Sequence, residues 1–128
     1  MSENITIVVV DDEPDIVNLA KQFLLLGGFN VITCFNGKEA LEIVEEKHET
    51  ISLMLLDIMM PGISGFDVLT RIKNNDKHKH IIVILFTVRS FAEDIQKGKK
   101  LGADGYMPKP FSGKELVKYI QDKLGLNK

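Results

Sequence analysis

A short apolar run that stops on a single carboxylate is the feature that most restricts how this chain can fold. Leu53-Met54-Leu55-Leu56 is followed at once by Asp57, and then by the turn formers Pro61, Gly62 and Gly65. A run this continuous and this short fits a strand covered on both faces, as in a parallel sheet. Asp57 then sits at the carboxyl end of a central strand, the edge at which open α/β sheets bind ligands. Taken alone, Asp57 fits a turn or helix-capping residue equally well.

The rest of the chain repeats the pattern. Ile5–Val10 is a β-favouring run broken only by Thr6, and it ends in Asp11-Asp12-Glu13. Pro14 suits the first turn of a helix, with the acidic Glu13 before it as cap. Ile16, Leu19, Ala20, Phe23 and Leu24 then recur at helical spacing until Gly27-Gly28 stops them. Asn30–Phe35 reads as a second strand, with Cys34 a small buried hydrophobe. After the turn Asn36-Gly37, residues Ala40, Leu41 and Val44 predict a second helix. His48 stands alone at its polar end and reads as solvated. Beyond the central strand, Val68, Leu69 and Ile72 mark a third helix. His78 and His80 fall in the polar stretch 76–80. With no third ligand nearby in sequence, that stretch reads as a solvated loop rather than a metal site.

Ile81–Phe86 is another continuous apolar run, ending in Thr87. Ser90 and Glu93 have capping-box spacing for a fourth helix, a weak one that holds Gly98 and carries only Ile95 and Leu101 as its stripe. Gly102–Met107 predicts a short fifth strand containing Tyr106. Lys109, Pro110 and Phe111 follow, and then a helix capped by Ser112 with Leu116, Ile120 and Leu124 inward. Five β–α units in a row predict an α/β fold: a five-stranded parallel sheet in a doubly wound, flavodoxin-like (βα)5 sandwich. Residues 1–128 are expected to form one domain.

Composition narrows the function. A net charge of −2 gives no field that would favour nucleic acid or an acidic membrane surface. No apolar run approaches the ~20 residues of a membrane span. With Cys34 alone no intrachain disulfide can form, so a cytoplasmic location is expected. The informative residues are those at the strand ends. The topology gathers Asp11, Asp12, Asp57, Thr87 and Lys109 at one sheet edge, where no core needs them. Clustered carboxylates repel, and a divalent cation with oxygen preference, Mg²⁺, relieves this. A carboxylate flanked by metal, ammonium and hydroxyl suits phosphoryl transfer, in which positioning and charge neutralisation do most of the catalysis.

Three stretches carry a resemblance: Val10-Asp11-Asp12-Glu13, the segment 56–65 around Asp57-Ile58-Met59-Met60-Pro61-Gly62, and the segment 102–111 ending in Lys109-Pro110-Phe111. Together they resemble, in order and spacing, the motifs of response-regulator receiver domains, the chemotaxis-regulator-like family of two-component signalling. The resemblance implies that Asp57 is the phosphoryl acceptor. Asp12 would bind Mg²⁺ (or Mn²⁺) directly and Asp11 mainly through water, with Asp57 and the Met59 carbonyl completing the metal site. Thr87 and Lys109 would hold the phosphoryl oxygens, and Thr87 and Tyr106 would form the switch. The Lys109–Pro110 bond would be cis. The implied partners are a sensor histidine kinase or histidine phosphotransfer protein and a downstream target on the face of helix four, strand five and helix five. A phosphorylation-dependent homodimer is a further partner state. No direct nucleic-acid contact and no membrane contact are expected, and catalysis is limited to the chain's own phosphorylation and dephosphorylation.

Two positions depart from the family pattern: Val88 stands where a small residue is usual, and Ile81-Ile82 replaces a common Pro. Bulk at Met59 and Val88, and an Arg89 that offers donors only and cannot take a proton from an attacking water, predict a long-lived acyl phosphate. Other readings fit less well. A haloacid-dehalogenase-type phosphatase needs an acid where Met59 stands, and Asp11-Asp12-Glu13 would repel the phosphate of a bound nucleotide. A receiver-like interaction module that is not phosphorylated is the serious rival, and it has no need of Asp57, Thr87 and Lys109 together.

Overall fold

A computed structural model describes residues 5–87, 92–109 and 111–126. Val88, Arg89 and Ser90, with the roles and the capping box expected of them, lie outside these residues, as does Pro110 with its expected cis bond. The elements are β1 (Thr6–Val10), α1 (Pro14–Leu26), β2 (Asn30–Cys34), α2 (Gly37–Lys47) and β3 (Ile51–Asp57). They continue as α3 (Gly65–Lys73), β4 (Ile82–Thr87), α4 (Ala92–Lys100), β5 (Gly105–Pro108) and α5 (Gly113–Lys123).

The strands pair in the order β2-β1-β3-β4-β5, every pair parallel. The chain runs outward from β1 to β2 and then crosses back to β3, so the winding reverses between β1 and β3. That reversal opens a crevice at the carboxyl ends of these two strands.

Both sheet faces are covered, which is why the strands show no polar alternation. Leu53 and Leu55 of β3 pack with Val17, Ala20 and Leu24 of α1 and with Leu116 and Ile120 of α5. Met54 and Leu56 pack the opposite way, with Ala40 and Val44 of α2 and with Val68, Leu69 and Ile72 of α3. Buried side chains of this size contribute about 1.5–3 kcal/mol each.

α3 begins immediately behind β3, and Gly65 permits it. A Cβ there would lie 2.1 Å from the Asp57 carbonyl oxygen and 2.8 Å from Ile58 Cα. The Gly65 N–H donates to the Ile58 carbonyl at 3.0 Å, and Ser64 caps the helix by accepting the Asp67 N–H. The loop after Asp57 is thereby closed on itself.

Several expectations are corrected. Leu19 is 41% exposed, and Val17 takes its place on the inner stripe of α1. The fifth strand begins at Gly105, because Gly102 adopts a positive φ of 102° and the chain turns there. Asn36 is a helix cap rather than a plain turn residue, its side chain accepting the Glu39 N–H at 2.8 Å. Gly98 does more than weaken α4: it is buried, and a Cβ would meet Leu85 Cδ1 at 2.3 Å. The histidines differ most. His78 is only 7% exposed and packs against half-buried His48, ring centroids 4.9 Å apart, so His78 is not the solvated residue expected. Cys34 is buried as expected, and burial, aided by the Glu39 charge, pushes its thiol up to about 12.

Candidate functional site

The crevice at the β1/β3 reversal is lined by acids. Asp11 follows β1 and is fully buried, Asp57 ends β3 and is buried, and Asp12 is exposed at the rim. One carboxylate oxygen from each lies within 4.8 Å of the other two. Lys109, buried after β5, points its ammonium into them. Its Nζ donates to Asp11 Oδ2 at 2.5 Å and lies 3.8 Å from Asp57 Oδ1 and 3.6 Å from Glu13 Oε1. Nothing local links residues 11 and 109; the parallel sheet alone brings them together.

Each member is held. The second Asp11 oxygen, Oδ1, accepts the Glu13 N–H at 3.0 Å, and the Asp11 N–H donates to Cys34 of β2. The Lys109 N–H donates to the carbonyl of buried Thr87 at 2.7 Å, which ties the lysine to the end of β4. The Lys109 ammonium also lies 5.3 Å from the Phe86 ring, which in turn packs edge-on against Phe111. The Met59 N–H donates a long 3.4 Å bond to Asp57 Oδ1, while the Met59 side chain is 71% exposed.

The electrostatics follow from burial and crowding. Asp57 is pushed up to about 7, first by loss of water and then by the Asp11 charge. Lys109 and the Met59 N–H pull the other way and do not restore it. For Lys109, burial alone would lower the value, but the hydrogen bond to Asp11 and the charges of Asp57, Asp11 and Glu13 raise it overall. With Glu13 the site sets four carboxyl groups against one ammonium, an excess of acid. The donor set is all oxygen, partly buried and net negative, and such a set fits a hard divalent cation.

Tyr106 is separate from this cluster. It lies on β5 beside a cavity of about 290 Å³ between α4, β5 and α5, together with Leu85, Ile95, Ala103 and Tyr119. Its backbone N–H donates to the Tyr119 hydroxyl at 3.0 Å. Sequence reasoning thus named Asp11, Asp12, Asp57, Thr87 and Lys109, and all five stand at one edge. It made Glu13 a helix cap, whereas the Glu13 side chain makes no capping bond and lies within ion-pair reach of Lys109. It gave no role to Gly65, whose missing side chain lets α3 follow Asp57. The acidic run at 11–13 was the available signal for Glu13. Gly65 sits where any turn glycine would and gave none.

A family model described as the response regulator receiver domain matches residues 7–121. The chain belongs to that family. Receiver domains serve two-component signalling by phosphorylation, and they are not classical enzymes. The transcriptional regulatory protein CpxR of Escherichia coli is 39% identical over 115 residues, covering 90% of this chain and 47% of CpxR. The response regulator SaeR of Staphylococcus epidermidis is 40% identical over 111 residues, covering 87% of this chain and 46% of SaeR. This receiver therefore spans about half the length of the curated relatives it matches. Among solved structures, the chemotaxis response regulator CheY4 of Vibrio cholerae superposes with a TM-score of 0.86 at 27% identity, covering 92% of this chain and 97% of that one.

Proposed function

We propose that this receiver accepts a phosphoryl group on Asp57 from the phosphohistidine of a sensor kinase or phosphotransfer protein, and that residues 1–128 act as one receiver unit. The observation that carries the reading is the buried Lys109 ammonium held among Asp11, Asp57 and Glu13. A purely structural lysine would not be brought to a crevice with more acid than it can neutralise.

In this reading an Asp57 carboxylate oxygen forms the new bond to phosphorus while the phosphorus–nitrogen bond of the donor breaks, its electron pair staying on the imidazole. Lys109 stands 3.8 Å from Asp57 and supplies positive charge to the incoming phosphoryl oxygens. Thr87, one strand over, supplies a hydroxyl. Both Asp11 oxygens already hold hydrogen bonds, one to Lys109 and one to the Glu13 N–H. That favours Asp12 and Asp57 as direct ligands, with Asp11 acting through water and the Met59 carbonyl as a further ligand. Bound Mg²⁺ (or Mn²⁺) would neutralise charge on the acids and the phosphoryl oxygens. The receiver would thus promote only its own phosphorylation and dephosphorylation.

The output side would be the face of α4, β5 and α5, where Thr87 and Tyr106 act as the switch. The cavity beside Tyr106 gives a ring room to change position. Phosphorylation can bias that equilibrium only by contacting the two states differently, and Thr87 is placed to do so. Output would pass to a partner protein, a second copy of this chain, or a domain outside the sequence, rather than to nucleic acid. Among the described residues no helix is long and apolar enough to cross a membrane. A cytoplasmic setting is proposed.

A two-stage NMR titration tests this. Mg²⁺ should first shift amides near Asp11, Asp12 and Asp57, and should do so far more weakly in Asp12→Ala. Beryllofluoride should then shift Thr87, Tyr106 and the α4–β5–α5 face. Unchanged Mg²⁺ binding in Asp12→Ala would remove Asp12 from the metal site, and changes confined to the acidic pocket would remove the output route.

A further inference from the structure

The chain contains three histidines, and the fold brings all three to one place. His48 ends α2, while His78 and His80 lie just before β4, about thirty residues away in sequence. This place is at the amino end of the sheet, the edge opposite the acid cluster. The His48 and His78 ring centroids are 4.9 Å apart, and those of His48 and His80 are 6.5 Å apart. Glu45, one turn earlier on α2, places Oε2 3.5 Å from His78 Nε2.

We propose that His48, His78 and His80 with Glu45 form a binding site for a borderline transition-metal ion of the Zn²⁺ class. Imidazole and carboxylate are the donors such ions prefer over the all-oxygen set that suits Mg²⁺.

Two of the pairs stand at ligand spacing; among the described residues three donor atoms lie within 4.8 Å of one another only at Asp11, Asp12 and Asp57, so this second set closes on an ion by side-chain rotation. Two donors at ~2.05 Å on one tetrahedral Zn²⁺ lie ~3.3 Å apart, and two imidazoles sharing it hold their centroids ~5 Å apart. The Glu45–His78 and His48–His78 distances are close to those values. His80 stands more than ~1 Å too far. Its side chain is exposed and sits in a turn, and binding requires it to rotate toward the ion. His80 is also prepared for the role. Its Nε2 meets the His48 carbonyl at 2.8 Å, and a carbonyl can only accept, so Nε2 carries a proton and Nδ1 is the nitrogen left to bind metal in the neutral ring. A ring that donates one N–H to a carbonyl while the other nitrogen binds metal is the usual arrangement at metal sites. The bound ion would fasten the end of α2 to the entrance of β4.

The test uses tag-free protein and Zn²⁺, measured by competition with a chromophoric chelator in excess Mg²⁺ to occupy the acid cluster. One Zn²⁺ per chain is expected. His80→Gln should weaken it by about tenfold or more, and the double variant His48→Gln, His80→Gln by about a hundredfold or more. Asp12→Asn should leave it unchanged. Circular dichroism and Mg²⁺ binding serve as folding controls, and buried His78 is left intact for that reason. Zn²⁺-induced amide shifts should centre on His48 and residues 78–80. Zn²⁺ binding that survives the double histidine variant, that follows Asp12 instead, or that is absent altogether would overturn the site.

Discussion

Removing the Lys109 ammonium, in Lys109→Ala, should lower the stability of the metal-free protein by about 3–5 kcal/mol, the range seen when one partner of a buried ion pair is deleted. The sequence alone suggests that this change spares the fold. The structure changes that expectation, because Lys109 and Asp11 are both buried and bonded at 2.5 Å. Without the lysine, the buried Asp11 carboxyl loses its ammonium partner, and Asp57 loses the only ammonium within 4 Å among the described residues. For a domain of this size the loss corresponds to a fall in melting temperature on the order of 10–20 °C. Adding Asp11→Asn should recover part of it, since the unpartnered carboxyl is then gone. Mg²⁺ should also recover part. Phosphorylation by a small phosphodonor should drop by about a hundredfold or more, as when one preorganised donor is deleted from a charge-developing site. A variant that melts like the parent would mean that the buried pair does not stabilise the fold.

Asp57→Asn should move stability the other way while abolishing labelling. Its folded value of about 7 lies above the ordinary carboxyl value of 3.8, raised first by burial. Between about pH 4 and pH 7 the folded protein therefore holds a proton that the unfolded chain has released. Stability from this group is fully present below that window, is lost as pH rises through it, and stays lost above pH 7. Asparagine has nearly the same shape and carries no charge, so the metal-free variant should be the more stable at pH 8, by about 1–4 kcal/mol, and no more stable near pH 4. In Mg²⁺ the parent should regain most of this difference and the variant little. An amide is a poor nucleophile, so acyl phosphate should fall to background. Equal or lower stability of Asp57→Asn at pH 8 would show that its charge is not costly there. Labelling that persists at another residue would show that the acceptor is misassigned.

The strands were legible because both sheet faces are covered and leave continuous apolar runs such as Leu53–Leu56. The acid edge was legible for a related reason: a carboxylate directly after such a run has few structural duties. Helix faces were less so. α1 is apolar at Ile16, Val17, Leu19, Ala20 and Phe23–Leu26, so spacing could not tell that Val17 faces inward and Leu19 outward. The start of β5 depended on the turn at Gly102, which composition does not locate. Contacts between distant segments were invisible. The Lys109–Asp11 bond spans 98 positions, so its strength could not be read even though both residues were named. The histidine cluster joins α2 to the approach of β4, and nothing around His48 or His78 in sequence announces it.

Phosphorylation of the unmodified chain tests the central claim most directly. The protein is incubated with acetyl phosphate and Mg²⁺, the adduct is checked for stability in acid and lability in base, and the modified peptide is mapped by mass spectrometry. A single acid-stable, base-labile phosphoryl group on Asp57, lost when Mg²⁺ is chelated, is the predicted result. No adduct on folded, Mg²⁺-loaded protein, or an adduct on any other residue, would contradict it.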